Sequence, residues 1–395
     1  MATCKITAHK FQDVRIDLKK ALAIRDLELS FDQMQADDEI GKLISFVSLH
    51  YHEPNGLLYC GLTSFANQVL ISFDPDTKKF IDLEYQNRGI CERFDVKIHR
   101  SLESDGQGNI LLAMAGLHDP KVNPEAEGGR LLRLYPDSGE IEVLGRPIPR
   151  DYIQTFAYDH HRRIFYGNGY PLGKTFRFDL DSGKTIELEE DIYAHKSRCD
   201  SEGNLWELSR VNTRPIHHVP EEDLEMMRTY FETTDRIPLL YKYNPDDGYQ
   251  FFDEGLPLVS GGAQTLANGL DVGDGGMYLS TNRGGLYWVD KVTGQVDEIA
   301  FHPGGRLEGI AYDKNRGLLF LGGGTFYLTH VFVVDVEKRR VITPFWPLAD
   351  TDQNIRCIIV HDLTVTQRNG HYLVHIGETD NPNRSGYLWE CDIQI

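Results

Sequence analysis

The chain has 395 residues, and its 60 acidic side chains outnumber its 41 basic ones, which gives a net charge of −19. A nucleic-acid-binding surface needs an excess of basic residues, so we expect no nucleic-acid partner. No run of about 18 apolar residues occurs, so we expect no membrane-spanning helix. The opening MATCKITAHK lacks the apolar stretch of a signal peptide, so none is visible.

One unit recurs along the chain: an apolar strand, a polar turn and a second short strand. A further hairpin precedes each copy, so a complete unit holds four short strands separated by turns rich in Gly, Asn and Asp. Copies begin at Leu70, Leu131, Thr175, Leu239, Leu286 and Val331, and a half-copy begins at Gly386. These units predict an all-β fold, a single domain over 1–395 that forms a seven-bladed β-propeller of four-stranded antiparallel blades.

The last unit ends after three strands, so its outer strand must come from the N-terminal part of the chain. We expect this strand within Val14–Leu29, where it would close the ring and cover an open sheet edge. The segment 209–238 interrupts the spacing of the fourth unit. We expect it to form an insertion over the top face, which we define as the face at which the innermost strand of each blade begins.

Propeller topology brings the starts of the innermost strands, and the loops between the second and third strands, to this one face. His, Tyr, Lys and Arg at such positions should therefore meet at the channel mouth. The candidates for catalysis are His99, His118 and Tyr170. The candidates for substrate binding are Arg100, Tyr166, Lys174, Arg177, His195, Arg198 and Glu308.

This set of side chains suits acid–base chemistry on an anion. Arg binds a carboxylate through its planar fork, while His and Tyr can take or give a proton. No zinc-binding or dinucleotide-binding motif occurs, and none of the six cysteines forms a CxxC pair. We therefore expect buried free thiols and no cofactor for catalysis, with room for a structural divalent cation such as calcium.

Several stretches resemble the propeller polysaccharide lyases, namely the ulvan lyases and the L-rhamnose-α-1,4-D-glucuronate lyases that act on gum arabic. They are KIHRSLESDGQGNILLAMAGLHD, YGNGYPLGKTFRFDLDSGK, HKSRCDSEGNLW and GETDNPNRSGYLWECDI. The resemblance implies β-elimination at a rhamnose-α-1,4-glucuronate bond, which leaves a 4,5-unsaturated uronate. In the ulvan lyase pattern two histidines precede a tyrosine and an arginine, and His99 and His118 match the two histidines.

Within this resemblance, the insertion 209–238 favours a closed pocket and exo-action that releases L-rhamnose. The expected partner is then an acidic oligosaccharide or polysaccharide with rhamnosyl-glucuronate, and the protein is expected to be a monomer. That function favours a secreted or extracellular enzyme, while the lack of a visible signal peptide leaves a cytoplasmic one open. The alternatives are an endo-acting ulvan lyase, a metal-dependent propeller lactonase that uses Glu308 and Asn268, and a non-catalytic binding scaffold.

Overall fold

The structure, a computed structural model, describes residues 2–25, 29–116, 125–170, 173–189, 195–208, 239–257, 264–326 and 328–395. Its strands form seven antiparallel sheets in which four strands follow one another from the channel outward. The innermost strands of neighbouring sheets lie against one another around a ring. The predicted seven-bladed β-propeller is therefore confirmed.

The N-terminal segment and the first three blades contain the following elements. The segment holds β1 (Thr3–His9), α1 (Leu18–Arg25), α2 (Phe31–Ala36) and a 3-10 turn (Ile40–Lys42). Blade 1 has β2 (Ile44–His52), β3 (Leu57–Ser64), β4 (Leu70–Asp74) and β5 (Lys79–Asp82), and a 3-10 turn follows at Tyr85–Asn87. Blade 2 has β6 (Leu102–Ser104), β7 (Ile110–Ala113), β8 (Leu131–Tyr135) and β9 (Glu140–Gly145). Blade 3 has β10 (Tyr152–Asp159), β11 (Ile164–Tyr170), β12 (Thr175–Asp179) and β13 (Lys184–Glu187).

The remaining blades complete the ring. Blade 4 has β14 (Arg198–Cys199), β15 (Leu205–Leu208), β16 (Leu239–Asn244) and β17 (Gly248–Gly255). Blade 5 has β18 (Leu266–Asp271), β19 (Gly276–Thr281), β20 (Gly285–Asp290) and β21 (Val296–Phe301). Blade 6 has β22 (Gly309–Asp313), β23 (Leu318–Gly323), β24 (His330–Asp335), β25 (Arg340–Val341) and β26 (Trp346–Pro347). A small hairpin, β27 (Ala349–Asp350) and β28 (Ile355–Arg356), precedes blade 7, which has β29 (Val360–Arg368), β30 (His371–Glu378), β31 (Leu388–Gln394) and β1.

Ring closure uses the N-terminal strand, as predicted, but at a different position. Strand β1 pairs antiparallel with β31, and its Ile6 and Ala8 pack into the apolar core between blades 6 and 7. The predicted position within Val14–Leu29 is wrong because that segment contains α1. The carboxylate of Asp17 accepts the backbone N–H of Lys20 at 2.8 Å, and this contact starts a helix where a strand was expected.

The apolar core lies between neighbouring blades. Between blades 2 and 3, Leu111 packs with Phe156 and Phe165. Between blades 4 and 5, Trp206 packs with Met277. Because apolar side chains fill these interfaces, the channel-facing positions of the innermost strands are left for polar side chains.

Three further expectations concern the thiols, the insertion and membrane spans. The six cysteines are all free, and Cys60, Cys357 and Cys391 are buried. The insertion expected over 209–238 lies outside the described residues. Within the described ranges, no helix combines the length and apolar character needed to cross a bilayer.

Candidate active site

The starts of the innermost strands of four blades meet at the top of the channel. We call the following six residues the central cluster: His99 and Arg100 before β6, His195 before β14, Arg306 and Glu308 before β22, and His361 in β29. Four of them, His99, Arg100, His195 and Glu308, are candidates from the sequence. Positions more than 250 residues apart in the chain therefore share one site, such as His99 and His361 with a separation of 262.

Glu308 is the anion at the centre of this cluster. Its side chain is fully buried, and one oxygen pairs with Arg100 while the other accepts Arg306 Nε at 2.7 Å and His195 Nδ1 at 2.9 Å. Burial alone would raise the pKa of Glu308, but Arg100, Arg306 and His195 hold it well below its ordinary value. Glu308 therefore stays ionised and fixes three donors around it.

The two buried histidines of the cluster contact each other directly. His99 Nδ1 lies 2.7 Å from the carbonyl oxygen of Gln154, and His361 Nδ1 lies 2.9 Å from that of Val47. The two Nε2 atoms lie 3.1 Å apart, and the ring planes meet at 75°. Since a carbonyl oxygen only accepts hydrogen bonds, each ring must carry its proton on Nδ1.

Both histidines are held neutral. Burial is the main reason that the pKa values of His99 and His361 lie well below the ordinary value, and repulsion from Lys97 and Arg100 lowers them further. At neutral pH each Nε2 therefore keeps its lone pair. A neutral imidazole can accept a proton at Nε2, although its lowered pKa makes it a weaker base than an exposed histidine.

A second layer of charge lies beside the cluster. Lys196 Nζ lies 2.9 Å from both carboxylate oxygens of Asp362, and neither side chain is more than 5% exposed. Burial lowers the pKa of Lys196 to about 8 although Asp362 opposes the shift. The predicted Arg198 lies in the same wall, with its Nε 3.3 Å from Asn268 and its Nη1 3.5 Å from Glu103.

Lys97 is a further cation at the top of the channel. Within the described part of the chain, its ammonium has no hydrogen bond or ion pair. Burial lowers its pKa to about 8, and repulsion from Arg100 and Arg306 acts in the same direction, against the attraction of Asp380. Arg100 adds a buried Nη1 that, among the described residues, has no acceptor. The Lys97 ammonium and Arg100 Nη1 therefore remain available as hydrogen-bond donors to an external anion.

The cluster also holds strained backbone. Arg100 has φ 48° and Arg306 has φ 40°, the left-handed region that side chains other than glycine rarely adopt. The Arg100 turn is fixed because its N–H donates to Val47 at 3.2 Å and its carbonyl accepts Thr155 Oγ1 at 3.2 Å. Strain of this kind is typical of sites where side-chain direction matters more than local stability.

Three predicted binding residues lie away from the channel mouth. Tyr166 is fully buried between blades 3 and 4, where its ring contacts Tyr243. Arg177, in β12, also interacts with Tyr243. Lys174 Nζ lies 3.1 Å from Glu187 at the outer edge of blade 3. These three placements correct the prediction. Tyr166 and Arg177 lie on the second and third strands of blade 3, which are set back from the channel, and Lys174 precedes β12 and pairs with the outermost strand.

The other two candidates have different outcomes. Tyr170 ends β11 opposite Tyr152, with ring centroids 5.0 Å apart. The start of β10 is at the same end of the blade and supplies the Gln154 carbonyl that His99 contacts, so Tyr170 and His99 share the top face. His118 lies outside the described residues.

His361, Lys97 and the Lys196–Asp362 pair were not among the candidates from the sequence. His361 and Asp362 follow the apolar start IIV of the innermost strand of blade 7, as His99 follows the start of its own segment. Position at the start of an innermost strand therefore identifies both of them in the last blade. Lys97 lies in the same strand-opening segment as His99, but only the structure shows that the neighbouring Arg100 and Arg306 are already paired with Glu308.

The candidate metal ligands are engaged elsewhere. Among the described residues, no group of three or more His, Cys, Asp or Glu side chains is arranged to hold a metal ion. Both oxygens of Glu308 accept from cationic donors, and Asn268 Oδ1 accepts from Arg198 and from the backbone N–H of Gly269. The donor set therefore does not favour the metal-dependent lactonase.

Comparison with known proteins supports the fold and goes no further. No family model matches the chain, and no curated protein does. Among solved structures, the extracellular domain of BT4673 from B. thetaiotaomicron is similar at a TM-score of 0.55 and 17% identity, over 88% of this chain and 38% of that one. U3-55K is similar at a TM-score of 0.55 and 10% identity, over 89% of this chain and 96% of that one. The WD40 repeats of RRP9 are similar at a TM-score of 0.55 and 9% identity, over 99% of this chain and 100% of that one.

Proposed function

We propose that this protein is a polysaccharide lyase that breaks rhamnose-α-1,4-glucuronate bonds by β-elimination. The observation that carries the proposal is the combination at the top of the channel of two neutral histidines with the cations Lys97, Arg100 and Arg306. It occurs in a chain whose net charge is −19, so the cations are concentrated against the overall charge. The resemblance of four stretches to propeller lyases agrees with this chemistry.

The uronate carboxylate binds next to Lys97 in this proposal. An ammonium without a close anionic partner gains the most from a substrate carboxylate, because its own desolvation has already been incurred in folding. Arg306, whose side chain is 28% exposed, lies at the same mouth. Neutralising the carboxylate makes the proton on C5 more acidic, which is the first requirement of the elimination.

The proton on C5 passes to the neutral His99. The electron pair of the C5–H bond forms the C4–C5 double bond, and the C4–O4 bond breaks with its electrons on O4. An acid then protonates O4, and Tyr170 is our candidate for it. The products are L-rhamnose and a chain that begins with a 4,5-unsaturated glucuronate. A single base and a single acid on one face suffice for this reaction.

Exo-action on terminal rhamnose is the preferred form of the proposal, and endo-cleavage of ulvan is its alternative. The two differ in their products on a polymer. An exo-enzyme releases rhamnose in equal amounts with unsaturated uronate and leaves the viscosity of the solution nearly unchanged. An endo-enzyme lowers the viscosity early and releases little free rhamnose. Parallel assays on gum arabic and ulvan separate the two.

The test of the lyase itself is ultraviolet absorbance of unsaturated uronate on gum arabic, with the wild type and two histidine variants. We expect His99→Ala to lose at least 100-fold in kcat/KM, the usual contribution of a positioned base. The matched control is His160→Ala, an exposed histidine in the turn between β10 and β11 at the opposite face. Full activity of His99→Ala, with its fold intact by circular dichroism, would refute the assignment.

A non-catalytic scaffold is less consistent with the site. A binding surface has no need for buried histidines whose pKa values are driven well below the ordinary value, as those of His99 and His361 are. The scaffold predicts that the polysaccharide binds and is recovered unchanged. Recovery of intact gum arabic after long incubation with saturating protein would favour it.

A further inference from the structure

The contact between His99 and His361 brings two unprotonated ring nitrogens to hydrogen-bond distance. Each ring has its Nδ1 proton committed to a backbone carbonyl, of Gln154 at 2.7 Å and of Val47 at 2.9 Å. The two Nε2 atoms then face each other at 3.1 Å with a lone pair on each. Two acceptors at hydrogen-bond distance repel each other unless a proton lies between them.

With both rings protonated on Nδ1, neither ring has a proton to place between the two Nε2 atoms. Arg100 Nε lies 3.3 Å from both Nδ1 and Nε2 of His361, so it donates to the unprotonated Nε2, and it cannot give up its proton to the pair. Each ring is only 4% exposed. Among the described residues, the charges that act on the two rings are those of Lys97, Arg100, His195 and Arg306, and Glu308 and Asp362 act on Arg100 beside them. The positive charges of Lys97, Arg100 and Arg306 disfavour a proton bound between the rings, whereas the 3.1 Å separation of the two Nε2 atoms favours one.

We propose that His99 and His361 act as one base, in which a proton taken up on one Nε2 is held in a hydrogen bond to the Nε2 of the other ring. The cations keep the pair unprotonated at rest, so that both lone pairs are available. When a proton arrives, the repulsion between the two nitrogens becomes an attraction, which a single histidine in this site would lack. His361 is thus the partner that makes His99 a stronger base.

The proposed function enters this inference only as the source of the proton. In catalysis that proton comes from C5 of the uronate, the electron pair stays with the substrate, and the histidine pair returns to its neutral state when it passes the proton to solvent, from which Tyr170 regains the proton it gave to O4. The sharing itself is a property of the free protein. It can be tested without any substrate.

The direct test is nitrogen NMR of the wild-type protein with 15N-labelled histidine, titrated from about pH 8 toward acid. We expect two rings protonated on Nδ1 alone at high pH, and one proton taken up by the pair, with both Nε2 signals moving together. A second proton should not bind before the protein unfolds, because it would place two adjacent positive rings beside Arg100. Independent titration of each ring, or a ring protonated on Nε2 alone, would overturn the proposal.

The second test is the pH profile of lyase activity in two variants. His361→Gln keeps an oxygen that can accept from His99, whereas His361→Leu has a similar size and no acceptor. We expect the acid limb of kcat/KM in His361→Leu to lie about one to two pH units lower than in the wild type, and the plateau to be at least 10-fold lower. His361→Gln should recover most of both. Equal losses in the two variants with no shift of the limb would show a structural role and refute the shared base.

The two tests separate the two ideas. If gum arabic is not cleaved but the NMR titration shows one shared proton, the lyase proposal fails and the histidine pair stands. If gum arabic is cleaved and the rings titrate independently, the pair fails and the lyase stands.

Discussion

Removing the charge of Glu308 should destabilise the protein far more than removing the charge of an exposed glutamate. Glu308→Gln keeps the shape of the side chain but leaves Arg100, Arg306 and His195 around a neutral amide, in a site where the Glu308 side chain has no exposure. Breaking a buried ion pair by removal of one partner costs about 3–5 kcal/mol. Because the glutamine oxygen still accepts one hydrogen bond, we expect the lower end of that range, about 3 kcal/mol.

The assay is urea unfolding followed by tryptophan fluorescence and by far-ultraviolet circular dichroism. The control is Glu187→Gln, which removes a carboxylate 3.1 Å from Lys174 where the two side chains are 64% and 43% exposed. An exposed pair of this kind contributes about 0–1 kcal/mol. A loss below about 1 kcal/mol in Glu308→Gln, or equal losses in both variants, would contradict the role given to the buried carboxylate.

The pH dependence of this difference follows from the pKa of Glu308, which the surrounding cations hold well below its ordinary value of 4.5. A carboxylate with a lowered folded-state pKa contributes stability that is fully present above the unfolded-state pKa and is lost as pH falls toward the folded one. The difference in the free energy of unfolding between wild type and Glu308→Gln should therefore be constant from about pH 7 to 4.5 and should become smaller below pH 4.5. A gap that widens in acid would reverse the sign and refute the ion-pair account.

The charge and burial of other groups have measurable effects on substrate binding, thiol reactivity and salt dependence. Lys97→Met should raise KM for the uronate substrate about 10-fold or more, the value of one charge-assisted hydrogen bond, while the peripheral Lys174→Met should leave KM unchanged in the same steady-state assay. The thiols of Cys60, Cys357 and Cys391 should not react with Ellman's reagent at pH 8 until guanidinium unfolds the protein, because burial raises the pKa of each thiol well above its ordinary value. Raising the salt concentration from about 0.01 to 0.1 M, which shortens the Debye length from ~30 to ~10 Å, should increase kcat/KM on the acidic polymer more than on a short oligosaccharide. A fall on the polymer would show that local cations, and not the net charge of −19, control its approach.

The blades could be predicted from the sequence because the strands and turns of each blade are specified by a local pattern of apolar and polar residues. The stretch TFRFDLDSGKTIEL predicts two short strands and a polar turn, and it forms β12 and β13 of blade 3. The closing strand was harder to find, since TCKITAH offers only Cys4, Ile6 and Ala8 as its inward side. Its pairing partner, β31, lies at the other end of the chain, and no local pattern specifies such a contact.

The candidate site was predictable to the extent that position along a strand decides it. His99, Arg100, His195 and Glu308 open innermost strands, and they meet. Tyr166 belongs to the second strand of its blade, where an alternation between the two faces decides whether a side chain enters a blade interface. The ends of strands could be placed from the sequence, but the face chosen within β11 could not.

The charge of the site depends on pairing that a sequence does not reveal. The top of the channel gathers lysines and arginines in a protein with an excess of acids, but most of these cations already have carboxylate partners in the folded chain. Glu308 offsets one of the two charges on Arg100 and Arg306, and Asp362 offsets the charge on Lys196. The positive charge that remains for a ligand is therefore the ammonium of Lys97 together with the uncompensated charge of the Arg100–Arg306 pair, next to two neutral histidines. The proposed elimination depends on this remaining positive charge, because a cation beside a neutral base favours an anionic substrate over a metal ion.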